Sequence, residues 1–266
     1  MLMTVHLSDH YYDPYKHYCG LYVVSKLKLP EFGPTSELIK IFDERGIILM
    51  SITSHQKDGL AYDFVTVDLT LKLDQKDAIE KEIRKRFGDK LVHFECADTG
   101  VQGYIYNING FPLVLNFSNT YTQAAALTSS AWKTLIMGMV KRFGTGATTI
   151  LYYMGNDAGE GKGKMLSELK GPLTNAERMK IGLARLQSLG WGRFELTECD
   201  EAGKKIVVRV YDNFEAVITR EMLDYQNGLV RGFLVGLVSG VFGKACRGIE
   251  EKCINRGDPY CEFVMR

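Results

Sequence analysis

Glu250-Glu-Lys-Cys253-Ile-Asn-Arg-Gly257-Asp258-Pro259-Tyr260-Cys261-Glu-Phe263 closes the chain and carries its sharpest signal. Gly257-Asp258 supplies turn chemistry, so the segment folds back and brings Cys253 towards Cys261. Two thiols and the Glu250 carboxylate, gathered on a strand and an adjacent turn, form a donor set that suits Zn(II). Three ligands are one short of a closed tetrahedral site. The same cysteines also read as buried small hydrophobes, or as a pair able to form a disulfide.

Working outward, Lys244 to Ile249 reads as the strand that leads into this segment. Before it, Gly228, Gly232, Gly236 and Gly240 recur every four residues along one face of an apolar helix. Each glycine costs about 1 kcal/mol relative to alanine in a helix interior. Close approach of a neighbouring helix or sheet, or of a ligand, has to offset that cost. Asn213-Phe214-Glu215-Ala216 follows a hairpin of Arg193 to Glu198 and Lys205 to Tyr211, turned at Asp200 to Gly203. Asn175 to Leu189 has helical spacing, and Gly190-Trp191-Gly192 makes a sharp turn after it.

Further upstream, Ala147 to Met154 is a β-rich run, followed by a Gly/Lys stretch over 155–164. That stretch fails as a phosphate loop. No glycine stands five places before Gly161 or Gly163, and neither Lys162 nor Lys164 precedes Ser or Thr. It reads as a loop or as close helix packing. Phe111 to Phe117 reads as a strand, and Ser118-Asn119-Thr120 offers caps for a helix reaching about Phe143.

Gly190-Trp191-Gly192, Asn213-Phe214-Glu215-Ala216, Gly232-x3-Gly236 and Glu250-x2-Cys253-x7-Cys261-x-Phe263 together resemble 4-vinyl-reductase domains, over about residues 110–266. The family includes sensor domains of phenol-responsive activators, archaeal hydrocarbon-binding proteins and relatives in vesicle-tethering complexes. The resemblance implies an α/β domain, usually dimeric, with an apolar cavity for a small hydrophobic ligand. It also implies zinc held by Glu250, Cys253 and Cys261. A further family cysteine lies five residues before the first glycine of the helix, and here that residue is Asn227. The phenol sensors' pocket residues do not carry over, their strand aromatic corresponding to Val210. Trp191, Tyr211 and Phe214 are the candidate ligand-lining residues, with plain core packing as the alternative.

The first half has a different rhythm. Leu21 to Leu29 reads as a strand, Thr35 to Arg45 as a helix, and Ile47 to Ser54 and Tyr62 to Leu73 as two strands. Lys57-Asp58-Gly59 turns the hairpin between those two. Asp74 caps a helix running to Phe87, and Leu91 to Cys96 is a fourth strand. This β-α-β-β-α-β order, with Gly33 and Gly46 at its turns, resembles ACT-type regulatory domains. The resemblance implies a ferredoxin-like fold that dimerises through its sheets, with an effector bound near Gly33. The expected organisation is an extension over 1–19, an ACT-like domain over 20–98, a linker over 99–110 and the 4-vinyl-reductase-type domain over 111–266. In the extension, His6, His10, His17 and Cys19 read as a metal group or, with no compact ligand spacing, as a sheet-edge terminus.

The 266 residues are 45% apolar and 24% charged, the balance of a globular protein. With 33 basic against 32 acidic residues, no global field recruits nucleic acid or anionic membrane. The apolar run Gly232 to Gly243 is shorter than the roughly 20 residues of a membrane span. No export signal precedes the six cysteines, so a reducing cytoplasm is expected. No nucleotide fingerprint or nucleophilic triad stands out, and no nucleotide cofactor is expected.

The leading expectation is therefore a cytoplasmic homodimer that binds or senses a small hydrophobic molecule without catalysis. The ACT-like domain would serve dimerisation or an effector response. The alternatives are a reductase-type enzyme of tetrapyrrole metabolism and a scaffold protein related to vesicle-tethering subunits.

Overall fold

The computed structural model describes residues 10–26, 33–97, 99–107, 114–117, 120–200, 202, 204–222 and 225–266. The chain divides into two compact α+β units, Met1–Ala125 and Ala126–Arg266. His6, the end of the first expected strand, and the Ser118-Asn119 cap lie outside the described residues.

The first unit runs β1 (His10–Tyr12), β2 (Tyr18–Lys26), α1 (Pro34–Glu44), β3 (Ile48–Lys57), β4 (Leu60–Asp68), α2 (Lys76–Phe87), β5 (Leu91–Ala97), β6 (Tyr104–Tyr106), β7 (Val114–Phe117) and β8 (Thr120–Gln123). Its main sheet is antiparallel with the order β3-β4-β2-β5, the ferredoxin-like arrangement. Strand alternation decides what each face covers. Leu21, Val23, Val65 and Val67 face Leu38, Ile41 and Phe42 of α1 and Ile79, Ile83 and Phe87 of α2. The other face carries Phe64, packed with Ala97, Ile105 and Tyr11. There β1 and β6 form a small antiparallel ribbon, where the sequence read an extension and a linker.

Asp58 and Gly59 turn the β3–β4 hairpin at φ 52° and 77°, which matches the strand twist. Asp74 makes no cap. It lies in a 3-10 turn, and α2 starts at Lys76 without a side-chain cap.

The second unit runs α3 (Ser129–Phe143), α4 (Thr145–Ser167), α5 (Asn175–Ser188), β9 (Arg193–Cys199), β10 (Ile206–Tyr211), α6 (Phe214–Ile218), α7 (Gly228–Phe242), β11 (Gly248–Lys252) and β12 (Cys261–Met265). Its antiparallel sheet has the order β11-β12-β10-β9. Ile206, Val208 and Val210 alternate inward along β10, as does Phe263 on β12. α7 is buried nearly all round, as a central helix must be.

Three expectations change here. The helix expected from residue 120 begins at Ser129, where the Thr128 side chain accepts the Ala131 N–H, while Thr120–Gln123 pairs with β7. The strand expected over Lys244 to Ile249 begins only at Gly248. Most instructively, Ala147 to Met154 is not β but the first half of α4. Its β-branched and aromatic residues favour a strand locally. Burial of Ala147, Leu151, Gly155, Gly159, Gly163 and Leu166 on one helical face overrides that preference.

That face meets the glycine face of α7. A Cβ on Gly159 would stand 2.1 Å from the Phe233 carbonyl oxygen, and one on Gly236 would stand 2.0 Å from that of Asn156. Similar clashes arise at Gly155, Gly163, Gly232 and Gly240. The two backbones touch over several turns, and backbone C–H···O contacts with main-chain dispersion offset the glycine cost. The approach that the α7 glycines demanded is therefore that of a second glycine-striped helix.

Candidate metal and ligand-binding site

Cys253 follows the last residue of β11, and Cys261 opens β12. Gly257 adopts φ 91°, and Asp258 Oδ2 accepts the Cys253 N–H at 2.8 Å, which closes the turn between them. The ligand atoms of Glu250, Cys253 and Cys261 all lie within 4.8 Å of one another. The two Sγ atoms are 3.9 Å apart. A disulfide needs about 2.05 Å. Two thiolates on one tetrahedral zinc, with bonds of about 2.3 Å, stand about 3.8 Å apart.

The thiol pair shares a proton. The Cys261 thiol donates to Cys253, which holds Cys253 down at about 7. The same bond, together with burial, pushes Cys261 up.

Asn227, just before α7, faces all three. Its Nδ2 donates to Glu250 Oε1 at 2.5 Å and stands 3.4 Å from Cys253 Sγ and 3.9 Å from Cys261 Sγ. Asn227 is only 1% exposed, and its Oδ1 has no hydrogen-bond partner among the described residues. Turning the amide over would aim that oxygen at the cluster. Two thiols, a carboxylate and a buried amide oxygen form a donor set that fits a zinc-like cation.

A second buried carboxylate supports this corner, one the sequence reading treated only as part of a signature. Glu215 is fully buried and accepts the Tyr225 hydroxyl at 2.6 Å. It also accepts the N–H groups of Leu229 at 3.0 Å and Val230 at 2.8 Å. It thereby caps α7, whose own N-cap residue Asn227 makes no side-chain cap. Burial pushes its carboxyl up to about 7, against the pull of those hydrogen bonds. Asn213 begins the same motif, is buried, and accepts the Glu215 N–H at 3.2 Å. No residue pattern signals this role, because the partners on α7 are main-chain groups.

Of the expected ligand-lining residues, the structure brings two together. The Trp191 and Phe214 rings are 5.1 Å apart, with Phe233 5.2 Å from Trp191 and Trp132 6.0 Å from Phe214. Trp132, Trp191 and Phe214 stay partly exposed over a buried base of Ile136, Leu151 and Leu229. Tyr211 is elsewhere, against Tyr260 and under the Arg193 guanidinium, and it donates to Glu195 at 3.1 Å. In the first unit, Gly33 occupies the N-cap position of α1 at φ −58°, and a Cβ there would meet nothing within 4 Å.

Fold and site together define a class: a ferredoxin-like unit joined to an α+β unit that carries a thiol–carboxylate cluster. No family model matches the chain, and no curated protein matches it. Among solved structures, the phenol-responsive sensory domain of the transcription activator PoxR, with phenol, is similar at 20% identity and a TM-score of 0.50. The match covers 54% of this chain and 76% of that one, and it establishes a shared fold. A vinyl-4-reductase family protein from Methanocaldococcus jannaschii matches at 18% identity over 54% of this chain and 83% of its own, with a TM-score of 0.37. The ACT domain of a GTP pyrophosphokinase from Chlorobium tepidum matches at 15% identity over 32% and 90%, with a TM-score of 0.27.

Proposed function

We propose that the second unit is a non-enzymatic binding or sensing domain for a small hydrophobic molecule, with zinc as a structural clamp. The observation that carries the ligand reading is the partly exposed aromatic group of Trp132, Trp191 and Phe214. These rings offer an apolar, polarisable surface beside a buried base, the composition that small-molecule sites favour. The fold shared with a phenol-responsive sensory domain supports the same reading.

Zinc would be held by Glu250, Cys253 and Cys261, with Asn227 as fourth donor. Bound there, it supplies no chemistry beyond fixing geometry, because it ties the start of α7 to the β11–β12 turn. Trp191 and Phe214 are the ligand contacts in this reading, and Tyr211 is not. The ferredoxin-like unit serves dimerisation or effector response.

Both tryptophans of the chain belong to the aromatic group, so their emission is a direct reporter. Titration with small aromatics and medium-chain fatty acids should change that emission saturably, and Trp191→Phe should remove most of the change. Emission that stays flat across the whole panel would refute the ligand reading.

A further inference from the structure

The first unit contains a cleft unrelated to the aromatic group or the thiol cluster. It has a volume of about 470 Å³, within the range typical of small-molecule sites. It opens at the end of the sheet where β2 begins and β5 ends, beside the first residue of α2. The Gly33 turn lies at the opposite end, after β2 and before α1.

The floor is apolar: Cys19, Leu69, Ala97 and Ile105 line it, each at most 8% exposed. The rim is polar, and its described lining residues include Lys76 and the His17 ring. Lys76 lines it as the first residue of α2, a position where a positive side chain adds to the positive end of the helix dipole. Asp74 and Asp77 share that turn but do not line the cleft. His17 lines the other side, its Nδ1 3.3 Å from Gln102 Nε2.

The wall is fixed in advance. The Asp13 N–H donates to Gly103 O at 2.9 Å, and the Thr99 hydroxyl donates to Tyr104 O at 2.7 Å. A preformed wall spares a ligand the cost of ordering it.

We propose that this cleft binds a small organic carboxylate with an apolar body, its anionic end at Lys76 and His17 and its body over the Cys19–Ile105 floor.

The test is ¹H–¹⁵N NMR of the full chain titrated with benzoate, with benzylamine and benzyl alcohol as matched probes. Benzoate should shift the Gly100 and Gly103 amide resonances saturably. Lys76→Glu, shown folded by its unchanged remaining spectrum, should weaken that binding at least tenfold, and Lys76→Arg should restore it. Benzylamine should leave these resonances unmoved, and benzyl alcohol should bind at least tenfold more weakly than benzoate. The proposal is overturned if benzoate moves neither glycine. It is equally overturned if Lys76→Glu binds as well as the native chain, or if benzylamine binds as tightly as benzoate.

Discussion

Asn227 Nδ2 stands 3.4 Å from Cys253 Sγ, while the oxygen of the same amide is buried without a partner among the described residues. In the proposed zinc site, an amide placed so close to two thiols would be the fourth ligand. It is a weaker donor than a thiolate. Replacing it with a thiol should therefore strengthen the site: Asn227→Cys should tighten zinc by on the order of tenfold or more. Asn227→Ala should weaken it while leaving the three stronger ligands. Competition with a chromophoric chelator measures both. Cobalt(II) should show added thiolate charge-transfer intensity in the cysteine variant alone. Equal zinc affinity in all three proteins would remove Asn227 from the site.

Protons compete with the metal for the two sulfurs, and the sign follows from the thiol pair. Zinc binds thiolate. Cys253 loses its proton at about 7, whereas Cys261 keeps its own above the usual thiol range. Affinity should therefore fall as pH falls, by about tenfold per unit above pH 7 and about a hundredfold per unit below it, as one and then two protons are displaced. A single unbroken slope from pH 6 to pH 8 would contradict the shared-proton pair.

The α4–α7 contact predicts opposite signs for the same substitution at two glycines. At Gly236 a methyl group meets the Asn156 carbonyl oxygen and the Glu160 nitrogen, both backbone atoms that cannot step aside. Gly236→Ala should destabilise the unit by about 3 kcal/mol. At Gly161 on α4 a methyl group meets nothing within 4 Å. There alanine should stabilise by about 0.5–1 kcal/mol. Urea denaturation of both variants checks the pair.

In the first unit, Asp63 on β4 is buried, accepts the Thr35 hydroxyl at 2.8 Å, and has no partner for Oδ2 among the described residues. Burial raises its carboxyl above the usual carboxylate range, with Thr35 and Ser54 pulling the other way. The folded state thus binds this proton more tightly than the unfolded one, and stability falls as pH rises from the unfolded value through the raised one. Asp63→Asn should raise Tm at pH 7 and lose that advantage near pH 3. An equal gain at both pH values would point to packing instead of charge.

The ferredoxin-like order could be read from the sequence because its signals are local: apolar, β-rich runs in β2 and β4, helical spacing in α1, and an Asp58-Gly59 turn that enforces positive φ. The thiol–carboxylate cluster could be read because a short turn gathers its three members. α4 could not, since Thr148-Thr149-Ile150-Leu151-Tyr152-Tyr153 favours extended backbone until α7 covers one side. Its signal was the four-residue spacing of Gly155, Gly159 and Gly163, matched to that of α7. Glu215 escaped for a related reason: its partners Leu229 and Val230 are main-chain groups remote in sequence, which no residue pattern announces.

Native mass spectrometry of the purified full chain reads the proposed metal and the proposed ligand together. The expected result is a stoichiometric zinc that is lost in Cys253→Ser, together with a bound apolar molecule, co-purified or loaded from the aromatic and fatty-acid panel. That second mass should be released on denaturation and reduced by Trp191→Ala. A chain that shows neither mass, after supply of zinc and after incubation with the panel, would overturn the reading of the second unit as a zinc-clamped binding domain.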